Sequence, residues 1–519
     1  MSDDGKIPPP LPRTIAELPS RWARATPHAP ALREGSVMWT FAALDQAVGE
    51  AEAWLAEHQV GPGDRVLIVN ENCRALVALI FAAVRRGAWA AAVNARLAPG
   101  EIDAIAAHAD PRFIAFTTEA SADAEAHRRR FAAEEQGPPV LGGVAAVGRP
   151  RATAEPAPRD PHDGVAALIY TSGTTGTPKA VMLTQRNLLF IAATSARLRE
   201  ISPADRVYGA LPISHVFGLA SMLLATMQAG ASIDLVARFS ASAAIAALGE
   251  GITVFQGVPA MYARILEHLS THRKALRLPK IRYISAGGSP LDPALKGRVE
   301  KAFGVPLHNG YGLTECAPTV SQTRMDDPKR DSSTGPPIPG IAIELRDAET
   351  GAAVEAGEVG QLWVRGPNVM KGYFRDPHAT AEVLGNDGWL NTGDLARVDP
   401  SGSIHIVGRT RELIIRSGFN VYPPDVEAAF ASHPDVTQCA VVGRPVEGNE
   451  EVVAFIQLRP GSSAGIEDLG RHAAGQLAAY KRPSEIVILE SLPASPTGKV
   501  LKRRLREMAC AALQQAPID

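Results

Sequence analysis

The chain has 519 residues, with 53 basic against 55 acidic side chains, and its length gives material for roughly two to four folding units. A near-balanced charge supplies no electrostatic basis for binding nucleic acid or for a polybasic membrane patch. The four cysteines, Cys73, Cys316, Cys439 and Cys510, are far apart and show no C-x-x-C spacing, which fits reduced thiols in a cytoplasmic enzyme better than a disulfide framework or a zinc site.

The amino terminus, MSDDGKIPPPLPRT, is polar and proline-rich, so a secretory leader is not expected. Short Val/Ile-rich segments then alternate with Ala/Leu-rich stretches of helical length. RVLIVN at Arg65 precedes RALVALIFAAVRRG, and PRFIAF at Pro111 precedes an Ala/Glu/Arg helix. This rhythm predicts an α/β fold of helix-covered sheets. Gly137 to Asp163, rich in Pro, Ala and Gly, reads as a mobile connection, followed by the strand VAALI at Val165.

Val207 to Ile233 contains no Asp, Glu, Lys or Arg, but Pro212, Ser214, His215, Gln228 and glycines interrupt it. The segment therefore reads as a buried strand, a loop and a buried helix, and no transmembrane segment is expected. From about Gly340 short strands and turns predict a small β-rich subdomain. Beyond Arg409 a helix at Asp425, strands at Gln438 and VVAFIQL, a helix at Asp468, the strand EIVIL and a basic terminal helix predict a small α+β domain. The expected division is residues 1–409 and 410–519.

The segment YTSGTTGTPK, Tyr170 to Lys179, combines hydroxyls, glycines and one lysine after a strand. Glycines let backbone N–H groups approach anionic oxygens, hydroxyls add donors and lysine adds a point charge, so the loop suits polyphosphate. It is not a Walker loop, because after four intervening residues from Gly173 Pro178 stands where the second glycine belongs.

Further motifs stand in order behind it: LPISHVFG at Leu211, SAGGSPL at Ser285, NGYGLTE at Asn309, GWLNTGD at Gly388, GRTRELIIRSGFNVYPPDVE at Gly408 and PTGKVLKR at Pro496. Together they resemble the adenylate-forming superfamily of acyl-CoA synthetases, luciferases and peptide-synthetase adenylation domains, over nearly the whole chain. The resemblance implies a large amino-terminal domain, a small mobile carboxy-terminal domain, and two half reactions. A carboxylate attacks the α-phosphorus of ATP to give an acyl adenylate and pyrophosphate; the thiol of CoA then displaces AMP.

By the same resemblance, Thr171, Ser172, Gly173, Thr174, Thr175 and Lys179 hold the β- and γ-phosphates. Thr314 meets the α-phosphate and Glu315 holds Mg²⁺, although a Thr-Glu pair by itself more often starts a helix. Asp394 accepts the ribose hydroxyls, Gly287, Gly288, Ser289 and Tyr311 form the adenine pocket, and Arg409 contacts the nucleotide from the hinge side. Lys499 bridges the substrate carboxylate and α-phosphate during adenylation. Arg411 occupies the hinge, and Gly418 lines the pantetheine tunnel, where a Cβ would obstruct the thiol arm.

His215 matches a gate beside the acyl carbonyl; a lone histidine in an apolar run is otherwise a hydrogen-bonded core residue. The acyl pocket is expected to draw on Phe217, Ser221, Met222, Gln256, Val258, Ser285, Ala286, Gly312 and Ala317. With no Lys or Arg from Val207 to Ala237, a second substrate carboxylate would be buried unpaired, so a monocarboxylic acid, fatty or aromatic, is expected. Arg238 and Arg264 are the cations that would change this reading. The expected partners are the acid, ATP and CoA, with a homodimer left open and a lysine acetyltransferase as a hypothesis for Lys499, because Pro493 stands upstream of it. The alternative function is a stand-alone adenylation enzyme that passes its acyl group to a carrier protein.

Overall fold

The computed structural model describes residues 12–149, 152–171, 179–272, 276–416, 419–446, 449–494 and 500–514. Two eight-stranded sheets make the body of the molecule. In the first, the strands Leu307–Gly312, Tyr283–Ala286, Val254–Gly257, Arg206–Gly209, Ser232–Leu235 and Pro30–Glu34 run parallel in that spatial order. Antiparallel strands Thr319–Gln322 and Val37–Thr40 close its edges.

The second sheet has a parallel centre, Val165–Thr171, Trp89–Asn94, Arg65–Asn70 and Phe113–Thr117, flanked by antiparallel strands. Every residue of Arg65–Asn70 is buried, as expected of a strand covered on both faces. The helix Arg74–Arg85 is apolar all round and buried from Ala75 to Val84. It touches strands of both sheets, so its sequence, without a polar face, suits a position inside the shared core. Gly137 to Asp163 departs from the expected mobile connection. Val144–Gly148 pairs antiparallel with Phe113–Thr117, because VAAVG buries three of its residues against the sheet core.

As the patterning predicted, Val207 to Ile233 forms a strand, a loop and a buried helix, Phe217–Leu224 with π-type hydrogen bonding continued by Ala225–Ala229. Gly218 makes this turn possible, since a Cβ there would lie 2.1 Å from the Pro212 carbonyl oxygen. No helix among the described residues is long and apolar enough to cross a membrane. Beyond the two sheets, Ala342–Arg346, Gly360–Arg365, Leu390–Val398 and Ile404–Arg409 form the expected small antiparallel sheet.

The smaller carboxy-terminal unit is a three-stranded sheet, Val436–Val446, Asn449–Leu458 and Glu485–Leu489, with the helices Pro423–Ala431, Ile466–Ala474 and Lys502–Gln514. It has apolar clusters of its own, one centred on Phe430, Val441 and Ile456 and one on Phe455, Leu492 and Leu505.

Candidate active site

The hydroxyl- and glycine-rich loop is the tip of a hairpin. Val165–Thr171 and Lys179–Thr184 pair antiparallel, with Thr171 opposite Lys179; Ser172, Gly173, Thr174 and Thr175 lie outside the described residues. The strand Lys179–Thr184 follows the loop, where a Walker loop is followed by a helix. Beside it, the two-residue strand Gly372–Tyr373 pairs with Met182 and Val181 and brings Tyr373 to the site. Lys179 Nζ stands 5.1 Å from the centroid of the Tyr373 ring, and Tyr373 Oη donates to Glu315 Oε1 at 2.7 Å. Burial and the adjacent Glu315 carboxylate raise the Tyr373 phenol, which stays protonated and able to donate.

Thr314 and Glu315 belong to a one-turn 3₁₀ helix, Thr314–Cys316, preceded by Leu313, whose side chain makes no cap. The pair does open a short helix, with Glu315 in its first turn, but Leu313 and not Thr314 stands at the cap position. The turn is held by the Glu315 carbonyl, which accepts from Met370 N at 2.9 Å. A carboxylate oriented by a phenol, beside a lysine and a hydroxyl-bearing hairpin, is a donor set that suits Mg²⁺ with a polyphosphate.

A second carboxylate stands at the junction with the small sheet. Asp394 is opposite Arg409 in the register of Leu390–Val398 with Ile404–Arg409. It is 3% exposed. Arg409 Nε donates to Oδ1 at 2.9 Å and Tyr311 Oη to Oδ2 at 2.5 Å. The Asp394 charge raises Arg409, and burial with that charge raises Tyr311, so the arginine is a fixed cation and the phenol a fixed neutral donor. Gly287 and Gly288 follow the strand Tyr283–Ala286, Gly288 at φ +80° with half-buried Ser289 beside it. A Cβ on Gly287 would stand 3.2 Å from the Phe217 ring.

On the acyl side, Met222, Gln256 and Ala286 are buried, while Phe217 and Val258 are half-buried. Gly312 is required for a reason other than pocket width, since a Cβ there would lie 2.0 Å from the Pro318 carbonyl oxygen. His215 is exposed, and its Nδ1 accepts from Phe217 N at 3.2 Å, so it is no core histidine. Arg238 is committed elsewhere, to Glu71 and Asp123, and Arg264 is exposed on the helix Pro259–Thr271. The cation that reaches Gln256 and the Ser221 carbonyl is Arg199, just upstream of the charge-free segment and 3% exposed.

Gly418 and Lys499 lie outside the described residues. On either side of the latter's loop, Ala494 and Val500 form an antiparallel bridge, and Leu501 N donates to Pro493 O at 2.8 Å. Arg411 sits in the 3₁₀ turn Thr410–Glu412, and its carbonyl accepts from Arg506 of the terminal helix at 3.5 Å. The terminal helix is not simply a solvated basic face, because Lys502 pairs with Glu412 at 3.1 Å and Glu427 at 2.8 Å.

This arrangement has counterparts. The AMP-binding enzyme family matches residues 19–374, and the AMP-binding enzyme C-terminal domain matches residues 425–499. The chain belongs to the AMP-binding enzymes and is an acyl-CoA synthetase. The synthetase is 35% identical to a feruloyl-CoA synthase of Amycolatopsis sp over 95% of its own length and 98% of that protein's. Among solved structures, it matches an anthranilate CoA ligase in complex with anthranoyl-AMP with a TM-score of 0.86, at 25% identity over 97% of this chain and 99% of that one. It also matches the o-succinylbenzoate CoA synthetase of Bacillus subtilis in complex with ATP and magnesium ion, with a TM-score of 0.79, at 28% identity over 94% and 99%.

Two residues that contact the candidate site residues escape the sequence motifs. Tyr373 lies in KGYF, a short turn-bounded stretch whose only signal is an aromatic after glycine; its role follows from the antiparallel pairing with Val181. Arg199 ends an ordinary amphipathic helix, Gln185–Leu198, and looks like a surface cation until the sheet edges close around it.

Proposed function

We propose that this acyl-CoA synthetase activates a monocarboxylic acid with an apolar body, aliphatic or aromatic, and transfers it to CoA. The observation that carries the reading is the convergence of Lys179, Tyr373, Glu315, Tyr311, Asp394 and Arg409, with Tyr311 near the carboxyl end of a parallel strand and Lys179 opposite Thr171 at the end of another, the side on which open α/β sheets bind ligands. In it, a carboxylate oxygen bonds to the α-phosphorus and the bond to pyrophosphate breaks. CoA sulfur then bonds to the acyl carbon, AMP leaves, and the thiol proton is lost to solvent.

The hairpin residues Thr171 to Thr175 with Lys179 take the β- and γ-phosphates, and Thr314 takes the α-phosphate. Glu315, oriented by Tyr373, holds Mg²⁺, which supplies charge neutralisation for the phosphates. Asp394 accepts the ribose hydroxyls in place of Tyr311 Oη, Gly287 to Ser289 and Tyr311 frame the adenine, and His215 borders the acyl carbonyl. The domain boundary falls at Arg409 to Arg411. Rotation of residues 410–519 about it presents Lys499 for adenylation and Gly418 for thioester formation, because one rigid face cannot serve both geometries. Acetylation of Lys499 would remove the cation from the first step; an intact mass unchanged after treatment with acetyl donor and acetyltransferase counts against it. A homodimer is tested by light scattering.

The experiment is mass spectrometry of products from the protein with ATP, Mg²⁺ and short, medium, long, aromatic and dicarboxylic acids, with and without CoA. Acyl-CoA formed only with CoA, from monocarboxylates, is expected. Acyl adenylate that never becomes a thioester would move the acceptor to a carrier protein.

A further inference from the structure

Three arginines among the described residues are buried, Arg65, Arg199 and Arg444, and they are satisfied differently: Arg444 pairs with the carboxylates of Glu451 and Glu485. Arg65 gives Nε to Ala109 O, Nη1 to Gly63 O and Thr153 O, and Nη2 to Asp110 O, with the Asp110 carboxylate at 3.4 Å. A carboxylate thus stands by that cation. Arg199 gives Nε and Nη2 to the single acceptor Gln322 Oε1 at 3.1 and 3.0 Å, and Nη1 to Gln256 Oε1 at 2.7 Å and to the Ser221 carbonyl. All of these are neutral, and no carboxylate pairs with Arg199 among the described residues. Burial lowers Arg199; the Tyr283 hydroxyl beside it raises it in part, and no carboxylate adds to that. An arginine does not shed its proton inside a protein, so a buried guanidinium here leaves positive potential uncompensated.

The groups around it repeat the imbalance. Gln256 Nε2, Gln322 Nε2, Tyr283 Oη and Ser285 Oγ are buried without a hydrogen-bond partner among the described residues. Gln256 is opposite Ser285 in the register of neighbouring strands. Ser221 sits on the same helix as Phe217 and Met222, and Ser285 directly precedes Ala286. The cluster therefore borders the pocket assigned to the acyl group. It offers a guanidinium, two amide NH₂ groups and two hydroxyls, a surplus of donors that an oxygen acceptor would balance.

We propose that Arg199, with Gln256 and Gln322, is a specificity site for an oxygen acceptor at the end of the acyl group remote from the reacting carboxylate. This rests on the ligase reading above. A phenolic oxygen on a hydroxyaryl acid is the source that agrees with a monocarboxylic substrate; a terminal carboxylate on a chain of similar length presents the same chemistry and is the alternative that the test separates. An acid lacking the oxygen leaves the donors unpaired on binding, whereas an acid carrying it pairs them.

The test compares kcat/KM for 4-hydroxycinnamate, for an α,ω-dicarboxylate of similar length and for cinnamate, in the wild type and in Arg199→Met and Arg199→Lys. The wild type is expected to favour one of the two oxygen-bearing acids over cinnamate by about 10- to 100-fold, mainly through KM. Preference for the phenol or for the dicarboxylate names the source of the oxygen. Arg199→Met is expected to bring the ratio towards one and Arg199→Lys to restore part of it. If Arg199→Met does not fold, Gln322→Leu and Gln256→Leu carry the test through the same ratio. Equal use of all three acids by the wild type, or a ratio unchanged in every folded variant, overturns the proposal while leaving the ligase intact. Absence of acyl-CoA from every acid overturns the ligase reading itself.

Discussion

Tyr311 Oη and Arg409 Nε divide the two oxygens of Asp394 between them, at 2.5 and 2.9 Å. A carboxylate bound on one side by a neutral phenol and on the other by a cation can exchange the phenol for a diol and keep the arginine. Asp394→Asn removes the charge and one acceptor position. Its KM for ATP, read by ATP–pyrophosphate exchange, is expected to rise about 10- to 100-fold. Tyr311→Phe frees Oδ2 and is expected to disturb KM for ATP less than Asp394→Asn does.

The two-conformation account separates the half reactions. Lys499→Ala is expected to abolish adenylate formation yet convert supplied acyl adenylate to thioester, and Gly418→Leu to do the reverse. Parallel loss of both half reactions in either variant would sink it; rapid-quench assays of each step decide.

Tyr373 orients Glu315 through one hydrogen bond. Tyr373→Phe keeps the ring under Lys179 and removes only that bond. The Mg²⁺ concentration for half-maximal pyrophosphate exchange is expected to rise about 10-fold, with the melting temperature nearly unchanged.

His308 is 4% exposed, stacked on Tyr283 with ring centroids 4.9 Å apart. Burial, with Lys296 and Arg199 nearby, lowers it from 6.5 to about 4. The unfolded chain therefore binds the proton first as pH falls, so stability is fully present above about 6.5 and declines towards pH 4. The loss expected from this group is at most about 3 kcal/mol. Melting temperature followed from pH 7 to 4 checks it, and His308→Asn should flatten the slope across that window.

Lys502 couples the terminal helix to Glu412 of the turn Thr410–Glu412 and to Glu427 on the helix Pro423–Ala431. Lys502→Met leaves two partly buried carboxylates facing each other. It is expected to lower stability by about 1–2 kcal/mol, less than loss of a fully buried pair, as measured by denaturant unfolding of the whole chain.

Much of the candidate site was proposed from the sequence one segment at a time. The loop at Tyr170, the NGYGLTE and NTGD segments and the alternation of strands and helices carry their chemistry in local sequence, because turn glycines, hydroxyl clusters and burial periodicity act over a few residues. Val144–Gly148 was read as a connection because surrounding Pro and Gly outweighed a short apolar run, whereas burial against Phe113–Thr117 decided it as a strand.

Sequence by itself determined the α/β class, the order of the nucleotide-binding segments and the adenylating chemistry they imply. Tertiary structure alone decided that Tyr373 donates to Glu315, that Gly312 is bare to admit the Pro318 carbonyl, and that Arg199, not Arg238 or Arg264, is the cation bonded to Gln256. Each depends on strands far apart in the chain being brought within hydrogen-bond reach, and a side chain's partner across a sheet is set by register and burial, neither of which its neighbours in sequence encode.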